Sequence, residues 1–378
     1  MSGKSKKKKM IWQQYIAMAF QILVGAACGF LVVWYLDGFV SELSVGKTIL
    51  SYAGLLLGLY AAIVVQLIIH ESGHLVFGLL SGYRFCSFRI FSFMWVKEGG
   101  QIQMRRLSIA GTSGQCLMSP PDLTDGKLPV VLYNLGGSLM NLIAALLFGG
   151  LSFACSGTRF LSAIALLFSA MGCMLAILNG VPMRMGAVDN DGYNAFALTR
   201  NPEAMRSFWV QMKINAQIAK GVRLKDMPEE WFAVPCDEAM KNSMVATMGV
   251  FACNRLMDER RFAEADRLMT HMLEIDSGMV GLHRDLLICD RMYVELITQN
   301  RQEVLVGMLT KEQKKFMQQM KNFPSVLRTE YVAALLHEKK PDKAEKIQTQ
   351  FEKCAKTYPY PSEVQSEREL MQIAELKA

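Results

Sequence analysis

The sequence predicts an α-helical membrane protein with about four transmembrane helices and a membrane-associated β-hairpin, followed by a soluble all-α domain of helical repeats. Two observations support this fold class. Hydrophobic residues make up 51% of the 378 residues, a high share for a soluble protein. Most of them lie in long runs in the first half of the chain. We therefore expect a basic N-terminus over residues 1–10, a membrane domain over 11–200 and a cytoplasmic helical domain over 201–378.

Each apolar run is long enough for a membrane-spanning helix, because an α-helix needs about 20 residues to cross roughly 30 Å of hydrocarbon. The first run stays as an anchor, since no small-residue cleavage site follows the sequence WYLDGF. Trp12 and Trp34 lie near its two ends, where aromatic rings favour the headgroup layers. The four predicted spans are residues 11–36, 49–80, 128–153 and 160–178.

Lysine and arginine predict the orientation of these spans. The N-terminal sequence MSGKSKKKKM and the segment 82–127 are rich in both, whereas the loops 37–48 and 155–159 hold few. Cytoplasmic loops carry the excess of positive charge. We therefore expect a multi-pass protein of the cell membrane whose N-terminus, 82–127 segment and C-terminal half all face the cytoplasm.

The formal net charge of +7 does not indicate a nucleic-acid partner. Much of it lies in the lysine cluster directly before the first predicted span, where attraction to anionic lipid accounts for it. The partner that this cluster predicts is the lipid bilayer.

The stretch IIHESGHLVFGLL, residues 68–80, places polar side chains inside the second predicted span. His70 and His74 are four residues apart, so on a helix they share one face and can reach one metal ion. Glu71 can then act as a general base toward a metal-bound water. Ionisable groups inside a membrane span cost several kcal/mol unless they are paired, solvated or bound to metal. The location therefore favours a metal site over a chance occurrence of the pattern.

A third ligand is expected from LNGVPMRMGAVDNDGYNAF, residues 178–196, which follows the fourth predicted span on the same side of the membrane. Asp189 and Asp191 are the candidates, because Pro182 can break the helix and let the loop fold back toward the histidines. The alternative is a helix end followed by a solvated acidic loop.

These motifs resemble those of the site-2 protease family of intramembrane zinc metalloproteases. The resemblance depends on HESGH at 70–74, on NGVP at 179–182 with DNDG at 189–192, and on GGSLMN at 136–141 in the span between. It covers about residues 45–195, in the order that the family has.

The resemblance implies Zn²⁺ as the cofactor and His70, His74 and Asp191 as its ligands. It implies that Glu71 is the general base. It also implies that Asn179 contacts the scissile peptide or its developing oxyanion.

The chain departs from the family pattern in two places. Asn179 is further from Asp191 than the family's asparagine-proline element usually is from its Asp-Gly pair, which leaves Asp189 open as the ligand. The Gly-Pro expected in the middle span is here Gly137 followed by Ser138, small residues that can also serve close helix packing. Asn141 can contact substrate, or it can serve packing and local hydrogen bonding.

The segment 83–107 is rich in aromatic and β-branched residues and has Gly99 and Gly100 where a turn would fall, so it predicts a β-hairpin. An unpaired strand edge can hold an extended peptide as a further strand. The resemblance implies β structure at this place in the chain. The alternative is a hairpin that only packs against the bilayer interface.

Helical patterns dominate the C-terminal half. Residues 242–276 predict two helices joined near Asp258 to Arg260, and a related pair returns at 329–361. These pairs resemble tetratricopeptide-type hairpins, with a degenerate third unit between them. Such arrays bind peptide or protein segments in their concave face. The three other histidines are isolated in sequence and are not expected to be ligands; they are His271, His283 and His337.

Together these features predict an intramembrane zinc endopeptidase that cleaves membrane-embedded or membrane-associated peptides near the cytoplasmic face. One alternative is a membrane-anchored repeat scaffold or inactive homologue that binds peptides or proteins. The presence of Glu71 counts against it, because a structural metal site needs no base beside its ligands. Another alternative is a different metalloprotease class that uses Glu98 as the third ligand.

Overall fold

The computed structural model describes residues 12–40, 44–98, 100–109, 112–183 and 189–378. Their first four helices are α1 (Trp12–Val40), α2 (Val45–Leu80), α3 (Val130–Ala154) and α4 (Arg159–Gly180). The strands are β1 (Arg84–Ile90), β2 (Phe93–Glu98), β3 (Gln101–Arg106) and β4 (Gly114–Ser119). The other helices are α5 (Asp191–Arg200), α6 (Pro202–Ile218), α7 (Ser243–Asp258), α8 (Phe262–Glu274), α9 (Gly281–Ile297), α10 (Gln302–Met308), α11 (Lys311–Gln319), α12 (Pro324–Val332), α13 (Pro341–Ala355) and α14 (Pro361–Glu375).

The chain divides into two compact units. The first comprises Met1–Ser81 and Pro129–Arg200, and the second comprises Gly82–Leu128 and Asn201–Ala378. The strand segment is thus grouped with the C-terminal helices, whereas we expected it within the membrane domain of residues 11–200. The physical reason is its bonding to distant parts of the chain. The Arg106 amide donates to the Thr357 carbonyl at 2.7 Å, and the Trp209 indole donates to the Pro121 carbonyl at 2.9 Å.

Among the described residues, three helices are long and apolar enough to cross a membrane, and they are α2, α3 and α4. They correspond to the second, third and fourth predicted spans. The first predicted span forms α1, in which the described apolar stretch Tyr15–Phe30 is shorter. The basic N-terminus of residues 1–10 lies outside the described residues.

Small residues let the helices of the first unit pack closely. A Cβ atom at Gly136 would lie 2.7 Å from the Gly73 carbonyl oxygen, and a Cβ at Gly73 would collide with the Gly136 backbone in turn. The α2 and α3 backbones therefore touch. Serine hydroxyls join α3 to α4, where Ser152 donates to the Ser162 carbonyl at 2.8 Å. Both features are typical of helix packing in membranes.

The sheet of the second unit is antiparallel, with strand order β3-β2-β1-β4. Its β2–β3 hairpin turns at Gly100, whose φ of +87° suits glycine. This is the turn that the glycine pair predicts, although Gly99 itself lies outside the described residues. The sheet extends beyond a two-stranded hairpin, because β1 pairs with both β2 and β4.

The C-terminal helices include a helix pair at both predicted places. α7 and α8 cover the first predicted pair and are separated at Glu259–Arg261, where Arg260 has a φ of +61°. α12 and α13 form the second pair, α13 ends at Ala355, and Pro361 begins a further helix, α14. Proline has no amide to lose in a first helical turn, so it suits this start.

Candidate metal centre

Three side chains converge in the first unit. His70 and His74 lie one turn apart on α2, with their Nε2 atoms 3.3 Å apart. The Oδ2 atom of Asp191 lies 3.1 Å from Nε2 of His70 and 3.4 Å from Nε2 of His74. The histidines are only 6% and 8% exposed. The structure thus brings together two imidazoles and a carboxylate in an arrangement that could hold a metal ion.

The orientation of His70 is fixed by an amide network. Its Nδ1 atom lies 2.7 Å from Oδ1 of Asn141. The Asn141 amide nitrogen donates to the backbone carbonyl and the side-chain oxygen of Gln66, at 2.8 and 2.9 Å. The nitrogen therefore faces two acceptors, and the Asn141 oxygen accepts from Nδ1–H of His70. Gln66 is held in turn by donating to the Phe168 carbonyl at 2.8 Å.

A backbone carbonyl holds His74 in the same tautomer as His70. Its Nδ1 atom lies 2.7 Å from the Tyr133 carbonyl oxygen, which can only accept. In both neutral imidazoles the proton is on Nδ1, and the Nε2 lone pair faces the Asp191 carboxylate. Three acceptor atoms so close together repel one another unless a cation or an added proton lies among them. The donor set therefore fits a metal ion, and its outer hydrogen bonds are those that orient metal-binding histidines.

Asn190 positions Asp191 at the first residue of α5. Its side-chain nitrogen donates to the Leu178 and Val181 carbonyls at 2.9 and 2.6 Å, at the end of α4. Its side-chain oxygen accepts from the amides of Met183 and Tyr193, both at 2.9 Å. One asparagine thus ties the end of α4 to the start of α5.

Two glycines provide the space for this arrangement. A Cβ atom at Gly137 would lie 2.5 Å from Cε1 of His70. A Cβ atom at Gly192 would collide with the Gly180 carbonyl oxygen, which is backbone and cannot move aside. The close approach of α3 to His70, and of α5 to the end of α4, requires glycine at both places.

The other candidate residues are Glu71, Asn179 and Asn141, and each has a different environment. Glu71 is buried on α2 directly after His70. Asn179 donates to the Leu175 carbonyl of its own helix at 3.1 Å. Asn141 lies behind His70 and uses its amide to hold it. Among the described residues, the carboxylate in the cluster is Asp191 and not Asp189.

Glu98, the alternative third ligand, forms an ion pair with an arginine instead. Glu98 lies on β2, and both of its carboxylate oxygens accept from Arg105, at 3.1 and 2.8 Å. Two of the isolated histidines also have partners of their own. His271 lies 2.7 Å from Asp237, and the Nδ1 atom of His337 lies 2.7 Å from Asn300.

Sequence reasoning missed Gln66 and Asn190. Gln66 could have been found, because it is a polar residue in an apolar span and lies one helical turn before His70. Asn190 has no comparable signal, because its role depends on carbonyl groups that folding brings to it.

The fold and the site define a helical protein with candidate membrane spans and a histidine–carboxylate cluster whose two histidines are buried. Comparisons with protein-family models, curated proteins and solved structures find no match for this chain.

Proposed function

We propose that this protein is an intramembrane zinc endopeptidase of the site-2 protease type. The observation that carries the proposal is the convergence of the Nε2 atoms of His70 and His74 on Oδ2 of Asp191. Each histidine has its other ring nitrogen occupied by a hydrogen bond. The two histidines belong to a helix that is long and apolar enough to cross a membrane.

Zinc is the metal that this donor set favours. Imidazole nitrogen and carboxylate oxygen are common zinc ligands, and a catalytic site has three protein ligands and an open position. His70, His74 and Asp191 would hold the ion. When bound, zinc supplies a Lewis acid that polarises a carbonyl group and lowers the pKa of water.

The chain's own residues provide the rest of the site. Glu71, which is buried on the same helix directly after His70, would accept the proton of the attacking water. Asn141 and the Tyr133 carbonyl keep the two imidazoles in the tautomer that presents Nε2. The substrate must be locally extended at the cleaved bond, because helical carbonyls are shielded by their own hydrogen bonds.

The membrane arrangement we propose has four spans, with α1 as the first and both termini in the cytoplasm. α2 has 36 residues, so it is about 54 Å long and exceeds the roughly 30 Å of hydrocarbon. His70 lies in the last third of α2, near its cytoplasmic end. Cleavage would therefore take place just inside that face of the membrane.

We propose that β3 and the helical domain take part in substrate selection. β3 is an edge strand by its position in the sheet. Its Ile102 and Met104 side chains are 64% and 60% exposed. An edge strand can pair with an extended peptide segment, and a tetratricopeptide-like array can dock a peptide or protein partner.

Bound zinc per chain is the measurement that tests this function. Elemental analysis of the detergent-purified protein should find about one zinc in the wild type and in Asp189→Ala. Asp191→Ala should lose it, and Asp189→Ala is the matched control because it removes the neighbouring carboxylate. A wild type that remains metal-free after zinc is added would contradict the proposal and favour a membrane-anchored scaffold.

A further inference from the structure

The second unit contains a cavity of about 380 Å³. Its wall is formed by β4 together with α6, α7, α9 and α14, all of which belong to this unit. The volume lies within the range of roughly 300–1,000 Å³ that ligand pockets have. The cavity plays no part in the chemistry proposed above for the histidine cluster.

One face of α14 lines this cavity with polar side chains. Ser362, Glu363, Ser366 and Glu367 all contribute to the wall. Their spacing places them on one side of the helix, over two successive turns. Two carboxylates one turn apart on the same face repel each other, so this face is arranged to meet positive charge.

The ion pairs that the structure describes around this wall do not neutralise it fully. Arg223 bonds to Asp258 and, at 2.6 Å, to Glu369. Arg328 bonds to Asp290 at 2.5 Å and lies 3.1 Å from Glu367. Arg260 also pairs with Glu369, at 3.2 Å, so the group around Arg223 is balanced. Arg328 meets two carboxylates, so its group keeps one negative charge in excess.

Glu363 has a different kind of partner. Its carboxylate accepts from the Tyr358 hydroxyl at 3.0 Å. Within the described part of the chain, no lysine or arginine forms an ion pair with it. Glu363 is therefore the carboxylate in this wall that lacks a counter-ion among these residues.

Two other polar groups of the wall lack hydrogen bonds within the described residues. Ser362 is only 7% exposed, and its hydroxyl has no partner there. The Nδ1 atom of His283 is also buried without one. A buried polar atom without a hydrogen-bond partner destabilises the folded protein. Such atoms around a cavity indicate that a polar group belongs inside it.

Aromatic rings complete the wall. Tyr358 and Tyr360 line the cavity, and their rings meet edge to face with centroids 5.8 Å apart. Phe251 and Phe323 also line it. Aromatic faces attract organic cations and pack well against aliphatic chains. The cavity therefore combines negative charge with surfaces suited to the stem of a basic side chain.

We propose that this cavity binds an alkylammonium or alkylguanidinium group, with Glu363 and Glu367 as its counter-ions and the aromatic rings around its aliphatic stem. Such a group is the side chain of lysine or arginine in a peptide, or belongs to a free small amine. The proposal is independent of the metal centre.

The test measures binding of three probes to the full-length protein in detergent by isothermal titration calorimetry. The first is the peptide acetyl-Leu-Arg-Leu-amide. The second replaces arginine by citrulline, which has nearly the same shape and no charge. The third is agmatine, a free alkylguanidinium. The titrations are run at pH 8, because burial raises the pKa of Glu363 to about 7 and the carboxylate is ionised above it.

The arginine peptide should bind at least tenfold more tightly than the citrulline peptide. Glu363→Gln and Glu367→Gln should each weaken its binding at least tenfold. Glu345→Gln should have no effect, because Glu345 is an exposed residue of α13 outside the cavity wall. Asp191→Ala should bind the peptide as the wild type does, which separates this proposal from the metal site.

Agmatine identifies the source of the cation. Binding of agmatine as tight as that of the arginine peptide supports a small amine, and much tighter binding of the peptide supports a peptide side chain. Equal binding of the arginine and citrulline peptides would overturn the proposal. Failure of all three probes to bind would also overturn the proposal and would indicate that the cavity holds only water. Glu→Gln keeps the shape of the residue, and unchanged circular dichroism of each variant shows that it is folded.

Discussion

Oδ1 of Asn141 lies 2.7 Å from Nδ1 of His70, and this contact determines which ring nitrogen of the histidine faces Asp191. The bond is itself supported, because the amide nitrogen of Asn141 is committed to Gln66. A residue of α3 thus sets the chemistry of a residue of α2. The sequence motif shows the two histidines. The ring nitrogen that His70 presents to Asp191 depends on Asn141, which is 71 positions away in the chain.

Replacing Asn141 should weaken metal binding without removing a ligand. In Asn141→Ala the His70 ring loses the acceptor that fixes its tautomer, so we expect zinc affinity to fall by about 10–100-fold. The measurement is a competition titration with a zinc chelator. Asn134→Ala is the control, because Asn134 is a buried asparagine of the same helix whose amide donates to the Val130 carbonyl. Equal zinc affinities of the two variants would refute the orienting role.

Replacing Glu71 should separate metal binding from hydrolysis. In Glu71→Gln the three proposed ligands remain, so the variant should keep about one zinc per chain. The general base is lost, so hydrolysis of an unfolded protein or of a membrane peptide should fall by at least 10²-fold. Zinc content and cleavage are measured on the same preparation. Hydrolysis at the wild-type rate in Glu71→Gln would show that another group acts as the base.

Adding one methyl group at Gly137 should disturb the metal centre. The new Cβ atom would lie 2.5 Å from Cε1 of His70, so either the ring or the helix must shift. Overpacking of this kind costs about 1–3 kcal/mol, and we expect a lower melting temperature and weaker zinc binding. Gly150→Ala is the matched control on α3, because its Cβ atom would meet nothing within 4 Å. Identical behaviour of the two variants would mean that α3 approaches His70 less closely.

The stability of the second unit should depend on the ionisation of Glu363. Burial raises the pKa of this carboxyl from 4.5 to about 7. Between these values the unfolded chain has lost the proton and the folded chain still holds it. The contribution of Glu363 to the free energy of unfolding is therefore full below pH 4.5 and is lost as the pH rises through 7.

Glu363→Gln removes this loss, because glutamine stays neutral. The variant should have a higher melting temperature than the wild type at pH 8, and the difference should shrink toward pH 5. Each kcal/mol corresponds to about 2–4 °C for a unit of this size. Burial lowers the pKa of His283 to about 4, which acts in the opposite direction at acid pH, so the comparison between variant and wild type is the informative one. A difference in melting temperature that does not change with pH would contradict a raised pKa of Glu363.

The sequence predicts the parts of the site that depend on local spacing. A separation of four residues places His70 and His74 on one helical face whatever the rest of the chain does. The second, third and fourth predicted spans likewise form α2, α3 and α4, because such helices are recognised by their length and apolar composition. The turn at Gly100 follows from a backbone conformation that glycine adopts readily.

Other parts could not be predicted, because they depend on contacts between distant positions. Asn190 is important because the Leu178 and Val181 carbonyls lie within reach of its amide, and sequence spacing does not show this. The grouping of the strands with the C-terminal helices depends on contacts such as that between Arg106 and Thr357. The hydrogen bond between Arg106 and Thr357 joins residues that are about 250 positions apart in the chain.

The hydrogen bonds of Asn190 hold the proposed metal ligand, Asp191, independently of the loop that leads to it. Asn190 and Met183 bond to each other through backbone and side chain, so the two ends of the intervening loop are fastened at the same place. Residues added to or removed from that loop would then leave Asp191 where it is. An insertion between Met183 and Asn190, such as a recognition element, should therefore leave the proposed chemistry at Asp191 unchanged.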